Sequence, residues 1–214
     1  MVEAYRTRQS VGLSAEDRER IVKRHAVALA RYGYRPQALF WQSEAVQMTR
    51  FRVMTDVMVS ELHSLLDLGC GFGDFYLWLQ QQGIETAFTG VDVSPDMIFA
   101  ARSRFPAARW LEGELLTLSL PETGFDVVTL SGALNEPIEQ ADAYAQAVIA
   151  RMWSLARQQV IFNLLDGCHP EVARSPFLQG RDPERVLRWC RNHTDAVRLI
   201  DGYLPNDFTV VMEK

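Results

Sequence analysis

Three glycines alternate with other residues just after a short apolar stretch, and an acidic residue stands two positions before them. The segment reads DLGCGFG, in which Asp67 is followed by Gly69, Gly71 and Gly73. Glycine lets the chain turn sharply at the end of a buried strand and lets a ligand approach the backbone closely. Binders of pyrophosphate cofactors favour the spacing G-x-G-x-x-G, and a carboxylate at position 67 would repel a phosphate. The pattern favours a cofactor that carries an ammonium group and no phosphate.

A second acidic residue, Asp92, follows Gly73 by 19 residues and closes the next apolar stretch. A carboxylate at the end of the second strand can accept hydrogen bonds from both hydroxyls of a ribose. NAD-dependent enzymes use the same arrangement, so Asp92 by itself leaves the cofactor open. Ser94 and Pro95 come next, and these residue types are favoured as the N-cap and the first residue of a helix.

Four segments together resemble the motifs of the class I methyltransferases that use S-adenosylmethionine (SAM). They are DLGCGFG at 67–73, TGVDVSP at 89–95, RWLEGEL at 109–115 and FDVVTLSGALNEP at 125–137. The resemblance covers residues 60–165 by motif and extends to the carboxyl terminus by topology. It implies that SAM is the cofactor and that S-adenosylhomocysteine (SAH) is the product. The residues it assigns to the cofactor are Asp67, Gly69, Cys70, Gly71, Gly73, Asp92, Val93, Met97, Glu114, Leu115, Ser131 and Gly132.

The third motif departs from the family pattern at one position. The family more often has an aspartate that bonds the adenine amino group, and here Glu114 stands in its place. Because glutamate is longer than aspartate, the sequence does not show whether its carboxylate reaches the adenine. The alternative is that Glu112 or Glu114 is only solvated. The resemblance also implies that the backbone N–H of Leu115 faces the adenine ring.

Residues 1–62 precede the first strand and read as two helices, over about residues 14–30 and 43–61. Because the core fold can begin at residue 63, we expect a helical cap or lid over the cofactor and the acceptor. Arg50 is the candidate partner of the SAM carboxylate, through a charge-assisted bond. The alternative is a segment that only packs on the sheet, with Arg50 in solvent. The predicted walls of the acceptor site are Tyr32, Tyr34, Trp41, Asn135 and Phe177.

Methyl transfer from SAM is an in-line displacement, and positioning of the nucleophile can supply much of the rate. The candidates for a base near the strand ends are Asn135, Glu136, Asp166 and His169. A turn or cap role is favoured for each, and Asn135 is expected to cap the next helix. The fourth segment lacks the Asn-Pro-Pro-Tyr motif that marks methylation of planar amino groups on bases or glutamine. A small-molecule acceptor is therefore predicted, with no metal.

The elements that must position these residues alternate between strands and helices. Short apolar runs predict strands at 64–68, 87–93, 109–111, 125–130, 160–165, 196–200 and 208–212. Helices are predicted at 74–82, 95–105, 140–155 and 182–191. This alternation predicts an α/β fold: a Rossmann-like, doubly wound, mostly parallel seven-stranded sheet with an antiparallel carboxyl-terminal strand and an amino-terminal helical cap. The last two strands are expected to form a hairpin at one edge, and residues 63–214 to form the SAM-binding domain, joined with the cap in one unit.

Composition limits the partners. The chain has 214 residues, a net charge of −5 and three widely spaced cysteines, Cys70, Cys168 and Cys190. The acidic balance without a basic stripe argues against a nucleic-acid partner. The cysteines form no CxxC pair, which argues against a zinc site and a disulfide framework. With neither a long apolar run nor a signal peptide, we expect a cytoplasmic monomer or homodimer without membrane attachment.

Other functions stay open from the sequence. An NAD(P)-dependent reductase on a related fold is opposed by the glycine spacing and by Asp67. A SAM-binding module that regulates a partner is compatible with the absence of an evident base. Methylation of a protein or an RNA is also open, although the composition provides no basic face for it.

Overall fold

The computed structural model describes residues 11–214, and its centre is one seven-stranded sheet in the order β3-β2-β1-β4-β5-β7-β6. The strands are β1 (Ser64–Leu68), β2 (Ala87–Asp92), β3 (Arg109–Glu112), β4 (Phe125–Ser131), β5 (Ala156–Leu165), β6 (Val197–Ile200) and β7 (Asp207–Glu213). Strands β1 to β5 pair in parallel, and β7 runs antiparallel to both of its neighbours. The predicted fold and the closing hairpin are confirmed, with β7 inserted between β5 and the edge strand β6.

Seven α-helices are found in the part of the chain that the structure describes. They are α1 (Ala15–Tyr32), α2 (Glu44–Asp56), α3 (Asp74–Gln81), α4 (Pro95–Arg104), α5 (Ala141–Leu155), α6 (Pro170–Arg174) and α7 (Pro183–Arg191). Short 3-10 turns cover Pro36–Leu39 and Ala133–Asn135. None of the helices in residues 11–214 is long and apolar enough to cross a membrane.

Serine side chains start three of these helices, as helix chemistry requires. Ser14 accepts a hydrogen bond from the N–H of Asp17, which confirms the predicted start of α1. Ser43 caps α2 in the same way. Ser94 accepts from the N–H of Met97, and Pro95 is the first residue of α4, as predicted.

One predicted helix end was wrong. The second helix was expected to run to residue 61, but α2 ends at Asp56. The chain beyond it is bound to a strand instead, because the side chain of Gln159 donates to Val57 O and accepts from Val59 N–H. This exchange with β5 satisfies backbone groups that would otherwise continue the helix. The short helix α6 was not predicted, because its five residues are too few to show a helical pattern.

The core has two layers because alternate residues of each strand face opposite sides. Leu65, Val127 and Ile161 face α2, α3 and α4. Their neighbours Leu66 and Val128 face α5 and α7. Since Phe51 and Met54 of α2 are buried in the first layer, the second half of the predicted cap belongs to the core of the domain.

The first half of the cap lies against the carboxyl ends of the strands. Helix α1 packs on the 3-10 turn Pro36–Leu39 and on α4. Ala38 of that turn is buried together with Phe72, Met97 and Ala100, which come from the glycine loop and α4. Residues 1–10 of the predicted cap lie outside the described residues. The division at residue 62 stays a prediction.

Candidate functional site

A cavity of about 430 Å³ follows the carboxyl edge of the sheet. Its walls include residues at or just after the ends of β1 to β5, among them Asp67, Asp92, Glu114, Ser131 and Leu165. The strand order reverses between β1 and β4, and doubly wound sheets bind ligands at such a point. The volume lies within the range of small-molecule and cofactor sites.

Asp92 holds the glycine loop and the start of α4 together. One carboxylate oxygen accepts a hydrogen bond from Gly71 N–H at 2.9 Å, and the other accepts from Ser94 N–H at 2.9 Å. Each oxygen has further lone pairs, so the carboxylate can still accept bonds from a ribose. The position of the Asp92 side chain is fixed by the backbone on both sides, because β2 ends at Asp92 and the N-cap of α4 follows two residues later.

The glycines are required for different reasons. Gly69, Gly71 and Gly73 all have positive φ angles, which other residues rarely adopt. A Cβ atom at Gly71 would lie 2.8 Å from Leu39 Cδ2, so the loop touches the 3-10 turn of the cap. A Cβ atom at Gly73 would lie 2.8 Å from the ring of Trp110, which makes this glycine a packing requirement of the core.

Asp67 is a buried carboxyl group on the cavity wall. Its pKa is raised to about 7, mainly by burial. A hydrogen bond from Thr129 Oγ1 at 2.8 Å opposes the rise, and the charge of Asp92 adds a smaller contribution to it. An ammonium group entering the cavity would stabilise the ionised form. Burial also raises the pKa of the neighbouring Cys70 thiol well above its ordinary value, so this cysteine is not a thiolate nucleophile.

Glu114 lies on the wall of the same cavity. Its Oε1 accepts a hydrogen bond from the backbone N–H of Leu13 at 2.8 Å. Burial raises the pKa of Tyr144, and the adjacent Glu114 carboxylate adds to the shift. The alternative of a solvated Glu114 was wrong, because the residue is buried between the amino-terminal segment and α5. Val93 and Leu115 also stand on this part of the wall.

Arg50 is buried, so the alternative of an arginine in solvent was wrong. Its Nε donates to Asp207 Oδ2 at 2.7 Å, and its Nη2 contacts the same oxygen. The guanidinium carbon lies 4.4 Å from the ring centroid of Trp41. Burial raises the pKa of Asp207 to about 6, although the charge of Arg50 opposes the shift. Nη1 points towards Gly132, where a Cβ atom would lie 3.6 Å from it.

The predicted cofactor residues divide into two groups. Those on the cavity wall are Arg50, Asp67, Gly69, Cys70, Asp92, Val93, Glu114, Leu115, Ser131 and Gly132. Gly71, Gly73 and Met97 lie outside it. Gly71 is covered by Leu39, and Met97 is fully buried beside Ala38. Contact between the cofactor and any of these residues stays a prediction.

Of the predicted acceptor residues, Trp41, Asn135 and Phe177 lie on the cavity wall, whereas Tyr32 and Tyr34 do not. Tyr32 and Tyr34 are 37% and 54% exposed at the end of α1, where the helix has already passed the cavity. Tyr34 packs on the ring of Phe72, 5.6 Å away between centroids. Their placement as pocket walls is therefore corrected.

The candidate bases are engaged in structural contacts. Both oxygens of Glu136 accept from Arg24, at 2.8 and 2.7 Å. His169 stands off the cavity wall and is the N-cap of α6, with Nδ1 accepting from Glu171 N–H. Asp166 closes a turn by accepting from Cys168 N–H at 2.8 Å.

Asn135 does not cap the following helix, so that expectation was wrong. Its Oδ1 accepts from the N–H of Leu165, and α5 begins after Gln140, which has a left-handed backbone. Asn135 thereby ties the loop after β4 to the end of β5. The N–H of Gln179 donates to its backbone carbonyl, which adds the loop before α7 to the same contact.

Several further residues on the wall were not identified from the sequence as site residues, among them Arg24, His25, Tyr144 and Arg181. Arg24 and His25 share one face of α1 with Ile21, which the spacing of three and four residues could have indicated. Tyr144 and Arg181 come from α5 and the segment before α7, and no local pattern marks them.

Residues 65–159 match the family model described as a methyltransferase domain. A Mycobacterium tuberculosis protein named as a methyltransferase is 27% identical over 166 residues, which are 75% of this chain and 99% of the relative. These matches support a class I SAM-dependent methyltransferase. A SAM-dependent methyltransferase from Archaeoglobus fulgidus shares its fold, with a TM-score of 0.65, 15% identity, and coverage of 81% of this chain and 96% of that chain.

Magnesium protoporphyrin IX methyltransferase from Synechocystis, solved with bound SAH, also shares the fold of this chain. The TM-score is 0.58, the identity 15%, and the coverage 80% of this chain and 82% of that chain. The site residues fit SAM: Asp67 provides a carboxylate for an ammonium group, Asp92 retains free lone pairs, and Glu114 accepts from an N–H donor. The NAD(P)-dependent reductase is thereby set aside.

Proposed function

We propose that this methyltransferase acts on a small-molecule acceptor enclosed between the amino-terminal segment and the loops that follow β4 and β5. The supporting observation is that α1 covers one side of the cavity, with Ile21, Arg24 and His25 on its wall. Arg24 makes two hydrogen bonds to Glu136, and Asp17 Oδ2 accepts from Glu139 N–H at 3.1 Å. A cavity of about 430 Å³ lies in the size range of sites for small molecules and cofactors.

SAM supplies an activated methyl group, and the residues of this chain bind and orient the reactants. Asp92 accepts bonds from the ribose hydroxyls, and Asp67 faces the ammonium group. Glu114 accepts from the adenine amino group, which takes the place of the N–H of Leu13. Arg50 reaches the carboxylate through Nη1, because Nε and Nη2 are bound to Asp207. Positioning of this kind supplies much of the rate in a displacement.

Two fractions of a cell extract distinguish the acceptor classes. The protein is incubated with methyl-labelled SAM and either the dialysable fraction or the retained macromolecules. Label entering dialysable material, with an equal amount of SAH, is the expected result. Label that enters only the retained fraction contradicts the proposal and supports a protein or RNA acceptor. SAH binding without transfer to either fraction supports a SAM-binding module.

We also propose that helix α1 and the 3-10 turn, which form the first half of the predicted cap, act as a lid over the cavity. Hydrogen exchange is measured with and without SAH, and protection is expected to rise across α1 and the 3-10 turn. Glu136→Gln weakens the hydrogen bonds between position 136 and Arg24, and should reduce the gain in protection that SAH causes. Glu139→Gln is the matched control, because the hydrogen bond that joins Glu139 to α1 comes from its backbone N–H. If protection rises only around residues 69–73 and 92, the segment is structural.

A further inference from the structure

The end of β5 brings together two nitrogen-bearing side chains of the cavity wall, Asn135 and Arg181. Both residues are bound to Leu165. Its N–H donates to Asn135 Oδ1 at 3.2 Å, and its carbonyl accepts from the backbone N–H of Arg181 at 2.9 Å. Arg181 Nη1 also donates to the carbonyl of Leu134, the residue before Asn135. The two side chains therefore belong to one part of the wall, and neither is assigned to the cofactor.

The side-chain amide of Asn135 has a fixed orientation. A backbone N–H can only donate, so the atom that faces Leu165 is the oxygen, and the NH₂ group is left for another partner. Nδ2 has no hydrogen-bond partner among the described residues, and Asn135 is only partly buried. A ligand in the cavity can therefore reach this donor, whereas Nε of Arg181 is fully buried.

Arg181 adds a buried positive charge to the same part of the wall. Burial lowers its pKa to about 10, so the guanidinium stays protonated at neutral pH. Two of its nitrogens donate to backbone carbonyls, which satisfy the N–H groups but carry no net charge. Asp142 lies 3.8 Å from its Nε and is also bound to Arg185, at 2.7 Å. The charge of Arg181 is therefore only partly neutralised, and it attracts an anion in the cavity through space, without contact.

The other charged wall residues that are not assigned to the cofactor are paired or exposed. Arg24 is bound to Glu136. Asp74 is bound to Arg104. Glu171 is exposed on α6, where water screens its charge. The buried guanidinium described above is therefore the charge that acts most on an acceptor beside Asn135, and it favours an anionic group there.

A carboxylate acceptor also agrees with the state of the candidate bases. Glu136 is held by an arginine, Asp166 closes a turn and His169 caps α6. An alcohol or an ammonium group must lose a proton before it can accept a methyl group. A carboxylic acid has a pKa of about 4 and is already ionised at neutral pH. Transfer to a carboxylate therefore needs no base from the protein.

We propose that the methyl acceptor is a small-molecule carboxylate, that Asn135 Nδ2 donates to one of its oxygens, and that the product is a methyl ester. The inference rests on the proposed small-molecule methyltransferase activity. One carboxylate oxygen forms the bond to the methyl carbon while the carbon–sulfur bond of SAM breaks. The electron pair of that bond stays on sulfur, which gives SAH. The negative carboxylate and the positive sulfonium become a neutral ester and a neutral thioether, so atoms and charge balance without a proton transfer.

Alkaline hydrolysis of the product tests the inference on the unmodified protein. The protein is incubated with methyl-labelled SAM and the dialysable fraction of a cell extract, and the small-molecule products are then treated with dilute alkali. A methyl ester releases its label as volatile methanol, whereas methyl ethers, amines and thioethers keep theirs. A reaction without the protein corrects for volatile label from SAM itself. We expect most of the transferred label to become volatile, and label that stays in non-volatile products overturns the inference.

Asn135→Asp then isolates the donor. Aspartate keeps an oxygen for the N–H of Leu165 but replaces the NH₂ group with a second oxygen, which repels a carboxylate. Asn192→Asp is the matched control, because Asn192 is exposed at the end of α7 and lies outside the cavity wall.

The readout for both variants is the amount of the dialysable fraction that gives half the maximal rate of ester formation. It should rise roughly tenfold or more in Asn135→Asp and stay unchanged in Asn192→Asp. The dissociation constant of SAH should stay unchanged in both, which a general loss of structure would not allow. An unchanged requirement for the fraction in Asn135→Asp, or an equal loss of SAH affinity, overturns the role of Asn135.

The alkaline hydrolysis remains decisive if Asn135→Asp does not fold. The two proposals also fail differently. Label that enters no dialysable molecule contradicts the proposed function. Label that enters dialysable molecules but resists alkali contradicts only the carboxylate acceptor.

Discussion

Replacing Asp92 with asparagine tests the assignment of the ribose site, because the change keeps the size of the side chain and removes its charge. In the protein, one oxygen accepts from Gly71 N–H and the other from Ser94 N–H. Asparagine has one oxygen and one NH₂ group, so one backbone donor must lose its partner. An unsatisfied buried donor costs about 1–3 kcal/mol, which is the expected fall in the free energy of unfolding.

The same substitution should also weaken binding of the cofactor. Neither ribose hydroxyl then meets a charged acceptor, and one of them faces an NH₂ group instead of an oxygen. A hydrogen bond to a charged group contributes about 1.5–3 kcal/mol, and we expect the loss of about one such bond. The dissociation constant of SAH should therefore rise roughly 10- to 150-fold. Alanine would be a poorer choice, because it would release both Gly71 and Ser94 and damage the loop itself.

Calorimetric titration with SAH gives the affinity of the Asp92→Asn protein, and urea unfolding without ligand gives its stability. Asp96→Asn is the matched control: it lies four residues away, is exposed in the first turn of α4, and should leave SAH affinity unchanged. An SAH affinity in Asp92→Asn within about twofold of the unmodified protein would refute the ribose assignment. A large loss in Asp96→Asn as well would point to α4 rather than to the carboxylate.

Three further changes probe the same site. Gly71→Ala and Gly83→Ala both place alanine at a positive φ, so each should lower the free energy of unfolding in urea by about 1–2 kcal/mol. Only the new methyl group at position 71 would meet a leucine of the 3-10 turn, so only Gly71→Ala should also weaken SAH binding in calorimetry. The pKa of Asp67 is about 7 in the folded protein and 3.8 ordinarily, so the contribution of this group to the free energy of unfolding falls as the pH rises between these values. Asp67→Asn should remove this pH dependence in urea unfolding, and an unchanged pH dependence would contradict the raised pKa. Arg50→Gln should cost about 3–5 kcal/mol, and less when combined with Asp207→Asn; additive losses in the double-variant cycle would show that the pair is not coupled.

Local physics accounts for what could be predicted. The turn after β1 needs glycine at positive φ whatever surrounds it, and the start of α4 needs a capping serine and a proline at its first position. The strands were identified because fully buried parallel strands are continuous apolar runs. Asp92 could be placed for the same reason, since it ends such a run and parallel strands end at one edge.

Contacts between distant segments account for what could not be predicted. Arg50 meets Asp207 across 157 positions, and Leu13 meets Glu114 across 101. Nothing near Glu136 in the chain shows that Arg24 will bind it. From the sequence, Glu136 was therefore a candidate base, and the packing of α1 over the cavity showed that Arg24 binds it.

The sequence by itself determined the sheet, the glycine loop, Asp92 and the class of cofactor, because each is set by residues within one strand–turn–helix unit. Only the tertiary structure decided which side chains line the cavity. Trp41 and Phe177 lie on the cavity wall, whereas Tyr32 and Tyr34 lie beyond the end of the helix face that covers it. His25 gains its place from the docking of α1 on loops far along the chain. Docking depends on packing and charge pairing over the whole domain, which no local pattern encodes.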